Sequence, residues 1–596
     1  MCGISGFLNL KGSFFNEGRC RDILLQMTNC LQHRGPDGQG IWLDAKAGIA
    51  LGHRRLSIVD VSPAGAQPMH SHCGRYVLSY NGEIYNISEL RGAVEAQRGR
   101  LEWRGHSDTE VFLEACATFG VEQAASRTLG MFAFALWDRL ERVLTLGRDR
   151  FGVKPLYWTH QGMTFLFGSE LKALRPHPAF ERSIDRNALA AFFRCNYLPD
   201  PMTPFSKVYK LRPGHLLTVG ATVPVREMSW WSALEVALSG VENRIQSHKD
   251  ALDELHELLR DAVRRRMVAD VPVGAFLSGG IDSSLISALM QEVSPHAVNT
   301  FSIGFENVDF DEAPYAKTIA QCLGTNHTEF YVSYKDAEAV IPRMPEMYDS
   351  LFADSSQIPT FLLSSLARRS VAVSLSGDGG DEIFAGYPRH SANFTLKQGL
   401  PLPRPLLYQR VNFKLWFGKP LVVGSEVSPS LYIHGLTDKM FKDNGEMIQY
   451  IDTVHYLPGD ILEKVDRASM ATSLEVRTPF LDHRIYALAW RMAPNLRRAC
   501  GKSKWPLRHI LDRYISPELT DRPKQGFSVP MVTWLRGPLR EWAEDLLRPQ
   551  RLHREGWLNP DVVLPVWRNT LEGRESGEQI WGVLMFQAWL ATQATA

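Results

Sequence analysis

The chain has 596 residues, 44% apolar and 22% charged, with a formal net charge of +1. That length exceeds one hydrophobic core and fits two to four domains of ~150 residues. The balanced charge gives no case for nucleic acid or a membrane surface as partner, and no apolar run approaches the ~20 residues of a membrane span.

The sequence opens Met1-Cys2-Gly3-Ile4-Ser5-Gly6-Phe7. A small residue at position 2 lets the initiator Met be removed, which would make Cys2 the mature N-terminus. One residue would then carry a thiol and an α-amine of pKa ~8, a nucleophile and its own base. No basic-then-apolar leader precedes Cys2, so a cytoplasmic protein is expected. The eight cysteines are scattered without a CxxC pair, which fits reduced thiols better than disulfides or a zinc site.

Strand-like runs follow at Arg75–Tyr80, Met131–Trp137, Val143–Leu146 and Phe165–Phe167. Asn81-Gly82 reads as a hairpin turn after the first of them. Ser107–Phe119 reads as a helix, and Leu216–Val219 as a last strand. This predicts layered sheets flanked by helices. Residues from about 226 to 245 read as a linker or the lead-in to a helix over Lys249–Met267.

The second half changes character. Val271–Leu277 is a strand-length apolar run, followed by Ser278-Gly279-Gly280-Ile281-Asp282-Ser283-Ser284 and a helical run to about Val293. Strand, glycine loop and helix begin a parallel α/β unit. Thr300–Phe305 is a second strand and Ala313–Leu323 a helix. Val371–Leu375 is a third strand, ending in Ser376-Gly377-Asp378-Gly379-Gly380-Asp381-Glu382. The remainder reads mainly helical.

The 278–284 loop suits a phosphate. Glycines let the backbone approach a ligand, and the N–H groups that open the helix face an anion. Asp282 fits such a site only through a bridging cation, for which Mg²⁺ is the natural choice. Neither a Walker A loop nor a dinucleotide fingerprint is present. The second loop offers another carboxylate, Asp381, at a strand C-terminal end, where open α/β sheets bind ligands.

Together these segments resemble a known family. CGISGF resembles the start of class II, N-terminal-nucleophile glutamine amidotransferases, and SGGIDSS resembles the pyrophosphate loop of N-type ATP pyrophosphatases. With RGPD (34–37), RLSIVD (55–60), NGEIYN (81–86), SDTE (107–110), SGDGGDE (376–382) and EVRTPFLD (475–482), the chain resembles glutamine-hydrolysing asparagine synthetases nearly end to end. The resemblance implies an αββα sandwich over residues 2–225. It implies a parallel-sheet α/β pyrophosphatase domain over 245–596, with a largely helical C-terminal part.

It also implies residue roles. Cys2 attacks the glutamine amide, Asn81 and Gly82 form the oxyanion hole, Arg55 holds the α-carboxylate, and Glu83 and Asp108 lie near the α-amine. Phe276 and Ile303 match adenine-reading positions. Ser278, Gly279, Gly280, Ser283, Ser376 and Gly377 match ATP contacts, and Asp282 and Asp381 match the Mg²⁺ carboxylates. Lys524 matches a lysine that stabilises the reacting phosphate, and Tyr387 is a candidate to face the acceptor. Asp378 stands where the family often has Glu, one methylene longer. The implied reaction is amidation of a carboxylate, L-aspartate foremost, with MgATP as substrate and no organic prosthetic group. Ammonia would pass through an internal apolar channel. A sugar uronic acid is the alternative acceptor. Small molecules are the expected partners, with a homodimer as the candidate assembly.

Overall fold

The computed structural model describes residues 1–13, 16–305, 311–391, 421–425, 440–521, 529–575 and 577–595. Two antiparallel six-stranded sheets occupy the first 229 residues. The first runs Val208–Lys210, Tyr157–Gln161, Thr164–Gly168, Gly3–Asn9, Ile49–Arg55, Gly38–Asp44. The second runs Arg226–Ser229, His215–Gly220, Val143–Arg148, Gly130–Asp138, Tyr76–Ile84, Met69–His70.

Ile4, Leu51, Val77, Trp137, Leu146 and Phe165 fill the space between the sheets. Helix Glu17–Asn29 packs on the outer face of the first sheet, and Asp108–Phe119 on that of the second. This is the expected αββα sandwich. Both faces of each sheet are covered. That explains why the strand Gly130–Asp138 reads as a continuous apolar run with every interior residue buried.

Two local expectations fail here. Asn81-Gly82 is no turn: Tyr76–Ile84 runs straight through it, paired with Gly130–Asp138 along its whole length. Nine register pairs outweigh the local turn preference of the dipeptide. Residues 226–245 are not a linker either. Arg226–Ser229 adds an edge strand to the second sheet, and Ala233–Glu242 is a helix capped by Ser232.

The second half is built on a five-stranded parallel sheet. Its order is Asn326–Val332, Asn299–Phe305, Val273–Phe276, Val373–Leu375, Glu475–Arg477. The chain steps outward one way from Val273–Phe276 and then returns to its other side. The loops after Val273–Phe276 and Val373–Leu375 therefore diverge from a topological switch point, where such sheets open a ligand crevice. Helices dominate from residue 444 onward. Among the described residues, no helix is long and apolar enough to cross a membrane.

A buried ionic seam joins the halves. Arg34, fully buried, donates to both carboxylate oxygens of Asp466 at 2.7 and 3.0 Å, to Glu170 at 2.8 Å and to the Cys2 carbonyl at 3.1 Å. Arg467 pairs with Glu170 and Glu463, and Lys210 also reaches Glu463. These ion pairs cross the seam beside Cys2 alongside apolar packing of Met1, Leu56 and Ile58. Each buried charge has a counter-charge, as burial demands.

Candidate active site

Cys2 immediately precedes the strand Gly3–Asn9, which is central in its sheet and paired on both sides. The thiol is thereby placed at a rigid strand end. The Cys2 N–H donates to Asn81 Oδ1 at 3.0 Å, and Sγ lies 3.8 Å from the Leu56 carbonyl. Burial pushes the Cys2 thiol pKa up in this chain, which still carries Met1. With Oδ1 held by Cys2, the Asn81 amide must turn its Nδ2 elsewhere. That Nδ2 is buried and has no partner among the described residues. It is a donor aimed at no protein acceptor beside a nucleophile, the arrangement an oxyanion requires.

One cleft is lined by Cys2, Arg55, Gly82, Glu83 and Asp108. Of the residues expected at a glutamine site, all but Asn81 line this one cleft, and Asn81 is joined to it through its hydrogen bond with Cys2. Arg55 is fixed by the 60–65 turn, donating to the Ser62 carbonyl at 2.8 Å and to that of Asp60. Asp108 opens its helix and accepts from the Ile84 N–H at 3.0 Å. Burial pushes the Asp108 pKa up to about 6. Glu83 is raised well above its ordinary value, by burial first and then by neighbouring Asp108, against the opposing Arg477. Two buried carboxylates opposite one guanidinium can receive the ammonium and carboxylate of an α-amino acid.

Gln67, Tyr80 and Glu475 also line this cleft and were not legible from sequence. Gln67 is positioned by the strand that carries Asn81. Its Oε1 accepts from the Tyr80 N–H, one residue before Asn81.

In the second half, the two glycine loops interlock at the switch point. Ser278 and Ser283 share a hydroxyl hydrogen bond at 3.0 Å, and the Ser278 N–H donates to Ser283 Oγ at 3.1 Å. Gly279 turns at φ +71°, where a side chain would be strained. Gly377 of the other loop packs on Asp282: a Cβ there would lie 2.7 Å from the Asp282 Cβ. Phe276 ends its strand in register with Phe301, and Ile303 lies two residues further along, buried. The Ser376 hydroxyl donates to Asp378 Oδ2 at 2.8 Å, turning that shorter carboxylate back onto its own loop. Burial raises the Asp378 pKa. Tyr387 donates to Glu382 at 2.6 Å. Lys524 lies outside the described residues.

Asp282 and Asp381 converge on one cation, the ammonium of Lys504, which pairs with Asp282 and lies 2.6 Å from Asp381. Lys504 is buried and sits at φ +55°. A carboxylate pair that shares one positive charge fits a divalent cation held between protein and phosphates. Sequence reading missed Lys504, whose partners Asp282 and Asp381 are distant in the chain.

Comparisons with known proteins agree in both halves. The glutamine amidotransferase domain family matches residues 1–231, and the asparagine synthase family matches residues 254–591. The chain is 31% identical to asparagine synthetase (glutamine-hydrolyzing) 1 of Bacillus subtilis, over 99% of this chain and 96% of that one. It is 32% identical to asparagine synthetase (glutamine-hydrolyzing) 3 of the same organism, over 88% and 87%. It is also 27% identical to amidase chry2 of Gibberella zeae, over 94% and 93%.

Proposed function

Because the chain belongs to the glutamine-hydrolysing asparagine synthase family, an ATP-dependent carbon–nitrogen ligase family, we propose that it converts L-aspartate to L-asparagine with release of AMP and pyrophosphate. The observation that carries the glutaminase half is the single cleft shared by Cys2, Arg55, Gly82, Glu83 and Asp108. The Cys2 thiolate attacks the glutamine side-chain amide. Asn81 Nδ2 and the Gly82 N–H receive the charge that develops on its oxygen, a contribution of several kcal/mol in comparable sites. Ammonia leaves and the thioester is hydrolysed to glutamate.

In the second half, the 278–284 loop and the helix it opens receive the ATP phosphates, and the acceptor carboxylate attacks the α-phosphorus. Asp282 and Asp381 would hold Mg²⁺, which supplies neutralising charge to the departing pyrophosphate. Ammonia then attacks the acyl-adenylate. Protonated ammonium is no nucleophile, so a shielded route between the sites is required.

The acceptor is tested by incubating the enzyme with glutamine, MgATP and a panel of carboxylates, reading AMP release. Aspartate should stimulate it most. A larger response to a uronic acid or its nucleotide-sugar form would move the assignment to carbohydrate amidation. That second reading is favoured by one observation, the short Asp378 carboxylate folded back on Ser376.

Glutamine affinity should depend on pH. Burial pushes the Asp108 carboxyl up to about 6. An ammonium bound beside it favours its ionised form, so binding below that pH must expel a proton. The KM for glutamine hydrolysis should rise as the pH falls through 6, by up to about tenfold per unit. A KM unchanged between pH 5 and 7 would remove Asp108 from the α-amine contact.

A further inference from the structure

The glutamine cleft is not built by the first half alone. Glu475, on the edge strand Glu475–Arg477 of the parallel sheet, lines it together with Cys2. Its Oε2 lies 3.2 Å from the Met1 amine, and its Oε1 accepts from Arg477 Nε at 2.7 Å. Arg477 is fully buried. Its Nη1 donates to the carbonyls of Arg266 and Val268 at 2.8 and 2.7 Å, and its Nη2 to Glu83 Oε2 at 3.2 Å. Two carbonyls and Glu475, all from the second half, thus fix the guanidinium before it meets Glu83.

The strand itself has little freedom. The Glu475 N–H donates to the Ala372 carbonyl, and the Arg477 carbonyl accepts from the Ser376 N–H, each at 2.9 Å. Glu83 lies in a low-polarity setting beside Asp108, where a carboxylate without a counter-charge would take up a proton and lose its hold on an ammonium. Arg477 is the only cation in hydrogen-bond contact with Glu83 among the described residues.

We propose that the strand Glu475–Arg477 is a positioning element of the glutamine site. Arg477, oriented by Glu475, holds Glu83 where it receives the substrate α-amine, so the synthetase half completes the specificity pocket of the glutaminase half. The inference rests on the reading of Glu83 as an α-amine contact. Its consequence is selectivity: the pocket distinguishes glutamine from the same molecule lacking the α-amine, 5-amino-5-oxopentanoate.

The test is hydrolysis of both compounds by the full chain, expressed as the ratio of their kcat/KM values. Glu83→Gln should reduce the ratio roughly 10- to 100-fold, the loss of one charge-assisted contact. Arg477→Lys should reduce it comparably, mainly through the KM for glutamine, and the double variant should be no worse than the poorer single one. Glu475→Gln keeps the side-chain shape and should lower the ratio severalfold; it carries the test where Arg477→Lys yields no folded protein. If Glu83→Gln leaves the ratio unchanged, the α-amine reading itself fails. If Glu83→Gln lowers it but Arg477→Lys and Glu475→Gln do not, or if the losses from Glu83→Gln and Arg477→Lys multiply in the double variant, the positioning role is wrong.

Discussion

Replacing Cys2 with Ala should abolish glutamine hydrolysis, a loss of at least about 10³-fold, while synthesis from added ammonium salt continues. Among the described residues, Cys2 is the one cysteine lining the cleft that also holds Arg55, Glu83 and Asp108. The substitution removes one sulfur at the start of a strand paired on both sides, so the sheet should persist. The proposed nucleotide loops, 278–284 and 376–382, follow strands of a separate sheet and are untouched. Retained glutaminase activity would contradict the nucleophile assignment. So would mass spectrometry showing Met1 still attached in fully active enzyme, because the α-amine proposed as base would then belong to Met1. In the present chain that amine is engaged with Glu475 rather than with the thiol.

Asp282→Asn and Asp381→Asn should each lower ATP-dependent synthesis by about 10²–10³-fold with either nitrogen source. The estimate follows from several kcal/mol of charge stabilisation on the departing pyrophosphate and 1.36 kcal/mol per decade of rate. The two carboxylates share Lys504, so losing either leaves a pocket of changed charge into which pyrophosphate must fit. Glutamine hydrolysis is the internal control, since neither residue lines its cleft. Near-normal AMP production by both variants would show that the interlocked loops are not the nucleotide site.

Much of the candidate site was legible because its signals are local in sequence. Cys2, the 278–284 loop and the 376–382 loop each carry their signal within seven residues. Strands such as Gly130–Asp138 were legible because burial on both faces leaves an unbroken apolar run. The misreadings have a common cause in long-range pairing. Asn81-Gly82 has the composition of a turn, but nine pairs with Gly130–Asp138 extend it into a strand and leave the Asn81 side chain for Cys2. Arg226–Ser229 has no apolar pattern of its own and becomes a strand by pairing with His215–Gly220. Glu475–Arg477 is three residues long, too short for any periodicity, and reaches the glutamine cleft only through tertiary structure. Lys504 was invisible for a related reason. Its partners lie at 282 and 381, and no spacing rule connects them.

The most direct test of the central proposal is transfer of label. Enzyme is incubated with glutamine carrying ¹⁵N in its amide, L-aspartate and MgATP, and the products are measured by mass spectrometry and phosphorus NMR. The account predicts asparagine labelled in its side-chain amide, with AMP, pyrophosphate and glutamate formed in equal amounts. Glutamate and unlinked ammonia without asparagine, while another carboxylate acquires the label, would contradict it.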